Sequence, residues 1–416
     1  MPHVPKTPLD PSGVPRFRNT AAMISSAGPS FDAAHYQGVM ALYATPRPGR
    51  AVELQQSGAR IIDFVRCSYL GLDNHPAIAA GAATAVEDAG TLHWSCARTR
   101  LNFRSLGELE EDLSDLFDAR VLTYTTVLAA NMSALPLLAS GHLTEGRRPL
   151  VAFDRQAHAT LAYHKATVAA ETAVETIPHN DLAVLEALCR SHPQVAYVCD
   201  GVYSMGGCAP LSQLRDLQER YGLFVYIDDA HGISLYGERG GGFARSVFDD
   251  LGDRTIVAAS LGKGFGASGG ILMLGTATQE LLFRRFSIAY AFSASLNTAA
   301  IGAARASASI HRTAELASRQ AGLRRNLALL DHLLPSDGGP SDLPIRTVRF
   351  GDELRAVHAA RALLEKGYFT SAIFFPTVAR GEAGLRICLS ATHEEDDIRG
   401  LCDAIGDIRR EILRST

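Results

Sequence analysis

The chain lacks any apolar stretch of the ~18–20 residues that a membrane span requires. The nearest candidate, Thr255–Gly275, is interrupted by Lys263 and a series of glycines. It also lacks a surplus of either charge. Forty basic residues stand against 44 acidic ones for a net charge of −4, and only Cys96–Arg104 is locally basic. A polyanion such as nucleic acid is therefore not the expected partner. The seven cysteines are odd in number and scattered, with none in a CxxC and none paired with histidine at ligand spacing. That argues against a disulfide framework and against a structural zinc site. No charged segment, apolar stretch and small-residue cleavage site follow one another at the N-terminus, so the expectation is a soluble, cytoplasmic protein. What remains is a chain of 416 residues, 47% apolar and 20% charged, able to bury a large core.

Pro2, Pro5, Pro8, Pro11 and Pro15 mark the first fifteen residues as an extended arm, and Phe31–Leu42 reads as a short helix. From about Ile61 short apolar runs alternate with longer amphipathic stretches, the texture of an α/β sheet. Strands are expected at Val121–Tyr124, Leu150–Phe153, Val195–Cys199, Phe224–Ile227, Thr255–Ala259 and Ile271–Leu274. Apolar spacings of three and four predict helices at Ser105–Phe117, Asp181–Ser191 and Pro210–Tyr221. Leu296–Leu334 reads as one long helix or two. Beyond it, strands at Ile345–Phe350 and Leu385–Leu389 with helices at Glu353–Lys366 and Glu394–Leu413 suggest a smaller α+β unit. The expected organisation is an arm over residues 1–55, a large α/β domain over 56–300, and a connecting helix with a small domain over 301–416.

Two segments carry chemistry. In Phe224-Val-Tyr-Ile-Asp-Asp-Ala-His-Gly232 an apolar strand runs into Asp228, with His231 three residues on. Ligands of open α/β sheets bind at the carboxyl ends of strands, where both side chains fall. The Asp-Asp pair alone is equally an ordinary strand end entering a turn. The second segment, Thr255-Ile-Val-Ala-Ala-Ser-Leu-Gly-Lys-Gly-Phe-Gly-Ala-Ser-Gly-Gly270, sets Lys263 among glycines after another buried strand. A lysine so placed is either a surface charge or a desolvated amine able to form a Schiff base. Gly264-Phe-Gly266-Ala-Ser-Gly269 fits GxGxxG, but a strand-like run follows it rather than a helix, which rules out a dinucleotide fingerprint. An Asp at one strand end and a Lys at another together suggest pyridoxal phosphate (PLP), which needs a lysine for its aldehyde and a carboxylate for its ring nitrogen. His158, His164 and His179 lie at poor spacing for a metal site, and none is expected.

Asp200-Gly-Val-Tyr-Ser-Met-Gly-Gly, Asp228-Asp-Ala-His-Gly and Ser260-Leu-Gly-Lys-Gly-Phe-Gly together resemble the α-oxoamine synthases, PLP enzymes of fold type I. The similarity runs from about Ser68 to the C-terminus, with the motifs in the family's order. It implies a large, mostly parallel seven-stranded sheet domain with a smaller C-terminal α+β domain. It further implies Lys263 as the Schiff-base lysine, Asp228 as partner of the pyridine nitrogen, and His231 and Ser204 at the cofactor's phenolic oxygen. His158 matches the histidine that stacks on the ring, Ser260 a phosphate contact, and Val127 and Leu128 the backbone positions that also meet the phosphate. Arg386, in Gly384-Leu-Arg-Ile-Cys-Leu-Ser, matches the arginine that grips the substrate carboxylate, for which a guanidinium fork is suited. The implied assembly is a homodimer with shared active sites, Ser295 being the phosphate contact lent to the neighbour.

The departures lie at the substrate rim. The family's Asn beside the amino-acid carboxylate is here Cys67, in Arg66-Cys-Ser-Tyr-Leu-Gly-Leu72. A glycine-rich stretch has become Gly90-Thr-Leu-His-Trp-Ser-Cys-Ala-Arg-Thr-Arg-Leu-Asn-Phe103, whose Arg98, Arg100 and Arg104 either meet phosphates of an acyl donor or are plain surface or interface charges. Thr126-Val127-Leu128 and Ser293-Ala-Ser-Leu-Asn-Thr298 also differ from the family pattern. The reaction implied is a decarboxylative Claisen condensation of an α-amino acid with an acyl thioester on coenzyme A or an acyl carrier protein. The alternatives are transamination, aldol-type cleavage or Cγ replacement on the same scaffold, and a PLP-binding regulatory protein. The arm before residue 56 is too short for the DNA-binding domain the last would need.

Overall fold

A computed structural model describes residues 17, 20–335 and 341–414; the proline-rich arm lies outside the described residues. Two compact units emerge, one built on Gly71–Ala317 and the other on Asn19–Leu70 and Ser318–Thr416. The sequence texture divides the chain after residues 55 and 300. Compactness divides it at 70/71 and 317/318, because Arg60–Asp63 pairs in parallel with Tyr368–Phe369 and so groups with the C-terminal segment.

The first unit holds seven strands: β1 (Arg120–Tyr124), β2 (Leu150–Asp154), β3 (Val174–Ile177), β4 (Val195–Asp200), β5 (Phe224–Asp228), β6 (Thr255–Ser260) and β7 (Gly270–Leu274). They form one sheet in the order β1-β7-β6-β5-β4-β2-β3, in which only β7 runs antiparallel to its neighbours. Every residue of β2, β4, β5, β6 and β7 is buried. Both faces are covered, so these strands read as continuous apolar runs. Alternate residues serve opposite cores: Val225 and Ile227 pack with Leu214 and Leu217, while Phe224 and Tyr226 pack with Leu135 and Leu138. Asp200 and Asp228 are in register at the ends of β4 and β5, and Asp228 is level with Ala258 of β6. The carboxyl ends thus form one edge, the place for a ligand in such a sheet.

The Leu296–Leu334 stretch is two helices, Thr298–His311 and Ala314–Leu333. In the second unit Ala383–Cys388 is the central strand between Ile345–Gly351 and Ser371–Ile373, antiparallel to both. The helices Glu353–Glu365 and Glu395–Arg414 complete that unit's expected α+β pattern. The helix expected at Phe31–Leu42 instead spans Thr20–Tyr36; Gly38, at φ 62°, turns the chain before Leu42. Among the described residues no helix is long and apolar enough to cross a membrane.

Candidate active site

The edge formed by the strand ends opens into a cavity of about 340 Å³, within the range of small-molecule and cofactor sites. Lys263, Asp228, His231, His158, Ser260, Val127 and Leu128 all line it. The chain brings these seven together from four places in the sequence.

Asp228 closes β5. Its Oδ1 accepts the Ala230 N–H at 3.1 Å and its Oδ2 accepts Asn131 Nδ2 at 3.1 Å. Lys263 sits in the glycine loop between β6 and β7, where Gly262 N–H bonds Ser260 Oγ at 3.2 Å and Gly266 N–H returns to the Lys263 carbonyl at 3.0 Å. A Cβ on Gly264 would come within 2.7 Å of the Ile233 carbonyl, so glycine lets this loop pack against the one that follows β5. The result is a contact between their functional groups: Lys263 Nζ lies 2.8 Å from His231 Nε2.

His158 begins the short helix Ala159–Ala162. Its backbone N–H bonds Asp200 Oδ1 at 3.2 Å and its Nδ1 meets Thr160 Oγ1 at 2.9 Å, which anchors the backbone and one nitrogen of the ring. Burial and, next, the Asp228 carboxylate push the Asp200 carboxyl well above the usual carboxylate range. Opposite, Thr126 caps the helix Val127–Ala139 by accepting the Ala129 N–H at 3.1 Å. The cavity therefore meets a helix start, where backbone amides and the dipole favour an anion.

Four further expected site residues are not among those that line the cavity. Ser204 is half-buried in the loop after β4 and does not line the cavity. Ser295 Oγ bonds the Leu296 carbonyl at 2.9 Å. Arg386 and Cys67 belong to the second unit, where Arg386 Nη2 approaches Cys67 Sγ at 3.6 Å. Arg98 is not a surface cation. Its guanidinium is buried against Glu110 Oε1 and the Thr123 carbonyl, both at 2.8 Å, and lies 3.6 Å from the Tyr290 ring centre. Arg104 is exposed and paired with Glu108. His179 bonds Asp154, and no group of three or more His, Cys, Asp or Glu capable of holding a metal stands together among the described residues.

Sequence reasoning missed Asn131 and Thr160, as well as Thr125 and Ser268 of the cavity wall. Thr160 carried a signal, two residues after His158 where a capping partner falls. Asn131, one amide in an apolar helix, carried none.

An amine, a carboxylate backed by an amide, a fixed imidazole and a helix start around one such cavity fit a phosphorylated aromatic aldehyde. Residues 68–405 match the family described as aminotransferase class I and II. The chain is 30% identical over 384 residues to the 8-amino-7-oxononanoate synthase of Geobacter sulfurreducens, spanning 90% of this chain and 96% of that one. It is 31% identical over 378 residues to the enzyme of the same name from Nitrosospira multiformis, spanning 87% and 90%. The solved structure of Sphingomonas wittichii serine palmitoyltransferase superposes with a TM-score of 0.83 at 20% identity, over 95% of this chain and 99% of that one.

Proposed function

The chain belongs to the aminotransferase class I and II family and within it to the α-oxoamine synthases, PLP-dependent C-acyltransferases of fold type I. From that premise we propose that it joins an α-amino acid to an acyl thioester, with loss of carbon dioxide and thiol, to give an α-amino ketone. The observation that carries this reading is the convergence of Lys263 and Asp228, from separate strand ends, on one cavity.

PLP, when bound, supplies an aldehyde that captures amines and a ring that takes up the electron pair released at a substrate Cα. Lys263 is the residue we assign to hold that aldehyde and, once displaced by substrate, to move the Cα proton at Nζ. His231, within hydrogen-bond reach of Nζ, would relay that proton or polarise the acyl carbonyl. Asp228, pinned by Asn131 and the Ala230 amide, would keep a ring nitrogen protonated. His158 would stack on the ring, and Ser260 with the Val127 and Leu128 amides would hold the phosphate. Arg386 is assigned the substrate carboxylate, with Cys67 beside it. A homodimer in which Ser295 reaches the neighbour's phosphate completes the proposal, with coenzyme A or an acyl carrier protein delivering the acyl group.

The test is the visible spectrum of the PLP-saturated protein, with amino acids added singly, with and without an acyl-coenzyme A. A cofactor band that shifts with one amino acid, and carbon dioxide and free thiol released together, support the reading. In Lys263→Ala the release of carbon dioxide and thiol should vanish, as should the absorbance of the lysine-bound cofactor before any amino acid is added. Keto-acid formation without thiol release would point to transamination, and a protein that binds no PLP would overturn the proposal.

A further inference from the structure

The residue that departs from the family at the substrate rim, Cys67, has a second thiol as its neighbour. The segment from Phe64 to Tyr69 runs beside the end of the central strand Ala383–Cys388. Cys388 N–H bonds the Phe64 carbonyl at 2.8 Å, Ser390 Oγ bonds the Ser68 carbonyl at 2.8 Å, and Ala391 N–H bonds the Tyr69 carbonyl at 2.8 Å. These bonds set Cys67 beside the strand end that carries Cys388, whose side chain, two residues on from Arg386, stands on the same face of the strand, and Arg386 Nη2 lies 3.6 Å from the Cys67 sulfur. Cys388 is 1% exposed, whereas Cys67 is half-buried.

We propose that Cys67 and Cys388 form a reversible dithiol–disulfide couple, a modification site at the sulfur that faces Arg386. The hydrogen bond from Cys388 first, and then the Arg386 charge, hold the Cys67 thiol below its ordinary range against the opposing effect of burial. Thiolate is the attacking form of cysteine. Cys67 attacks one sulfur of a small-molecule disulfide such as oxidised glutathione and expels one glutathione thiolate. Cys388 then attacks the Cys67 sulfur as it gives up its proton, and the second glutathione leaves. Two protein thiols are oxidised to one S–S bond, and the small disulfide is reduced to two thiols that carry away the protons. Access dictates the order, since a buried Cys388 meets an external oxidant only through Cys67. A disulfide sulfur carries no charge, so oxidation deprives Arg386 of its anionic neighbour.

The experiment uses the PLP-loaded protein carrying Cys96→Ser and Cys208→Ser, which removes the two exposed thiols. After treatment with oxidised glutathione, the expected result is an intact mass lower by two hydrogens and a non-reduced digest containing a peptide that joins Cys67 to Cys388. Dithiothreitol should reverse both. In a Cys388→Ser variant, glutathione should instead stay bound to Cys67. A stable glutathione adduct on Cys67 while Cys388 is intact, or an unreacted Cys67 with Cys388 recovered as a free thiol, overturns the proposal. The unsubstituted pair decides the matter even if Cys388→Ser folds poorly.

Discussion

Asn131 and Asp228 meet at 3.1 Å through Nδ2 and Oδ2, and the same amide accepts the Tyr226 hydroxyl on Oδ1 at 2.7 Å. One side chain on an apolar helix thus ties down two inward positions of β5, the carboxylate of the site and the phenol two residues before it. Asn131→Leu would leave two buried polar groups without that partner, each at a cost of roughly 1–3 kcal/mol. The expected outcome is a lower denaturation midpoint together with weaker PLP retention, read by urea titration and by cofactor absorbance after dialysis. A variant with the parent's midpoint and cofactor retention would show that the amide does not position Asp228.

The sheet was legible because its central strands are buried on both faces and so read as unbroken apolar runs, as in Val195–Asp200 and Phe224–Asp228. The strand that went unread, β3, lies at the sheet edge, and its Glu175 and Thr176 face solvent, which cuts the run to Val174 and Ile177. The helix Val127–Ala139 was missed for the converse reason. It is apolar nearly all round and carries Pro136, so no amphipathic stripe marks it. Asp228, His231 and Lys263 were visible because each follows a recognisable strand. Arg98 was misleading, because its partner Glu110 lies on the helix after it and only folding reveals the ion pair.

Gly270 starts β7 where it faces the first turn of Val127–Ala139. A Cβ there would stand 2.5 Å from both the Thr126 carbonyl carbon and the Val127 nitrogen, neither of which can yield as a side-chain tip would. Gly270→Ala should therefore displace the helix start that lines the cavity, with a loss of about 1–3 kcal/mol in stability and a weakened grip on PLP. A methyl group on Gly107, in the helix Arg104–Phe117, would meet nothing within 4 Å, which makes that position the control. Gly107→Ala should gain up to about 1 kcal/mol and leave PLP binding untouched. Equal behaviour of the two variants would refute the crowding argument.

His311 gives the first unit a definite response to acid. Its ring is buried, with Nδ1 donating to the Ser307 carbonyl at 2.8 Å and Nε2 2.9 Å from Ser234 Oγ. Burial holds its pKa at about 4, against an ordinary 6.5. Between those values the unfolded chain binds a proton that the folded chain does not, so stability is full above the unfolded value and falls as pH drops toward 4. A displacement of that size corresponds to on the order of 3 kcal/mol. His311→Gln should flatten the decline in urea midpoint from pH 7 to pH 4. His393 in the second unit, also held at about 4 mainly by burial, should keep part of that slope in place. An unchanged slope in His311→Gln would show that its titration does not contribute.

Arg386 lies on the central strand of the second unit, buried, with Cys67 against one nitrogen of its fork. If it binds a carboxylate, the contribution comes from two parallel N–H bonds that a lysine ammonium cannot reproduce. Charged hydrogen bonds of that kind amount to roughly 1.5–3 kcal/mol, about a 10- to 100-fold effect. Arg386→Lys should accordingly raise the KM for the amino acid by that factor while the KM for the acyl thioester stays put. The same change tests the electrostatics of its neighbour without any turnover. Lysine retains the positive charge, whereas Arg386→Gln removes it and leaves the Cys388 thiol in place, so Cys67 should keep its thiolate character in the first variant and lose part of it in the second. The pH dependence of Cys67 alkylation, followed by peptide mass spectrometry, separates the two. Equal alkylation profiles in both variants would mean that the guanidinium charge does not govern the sulfur.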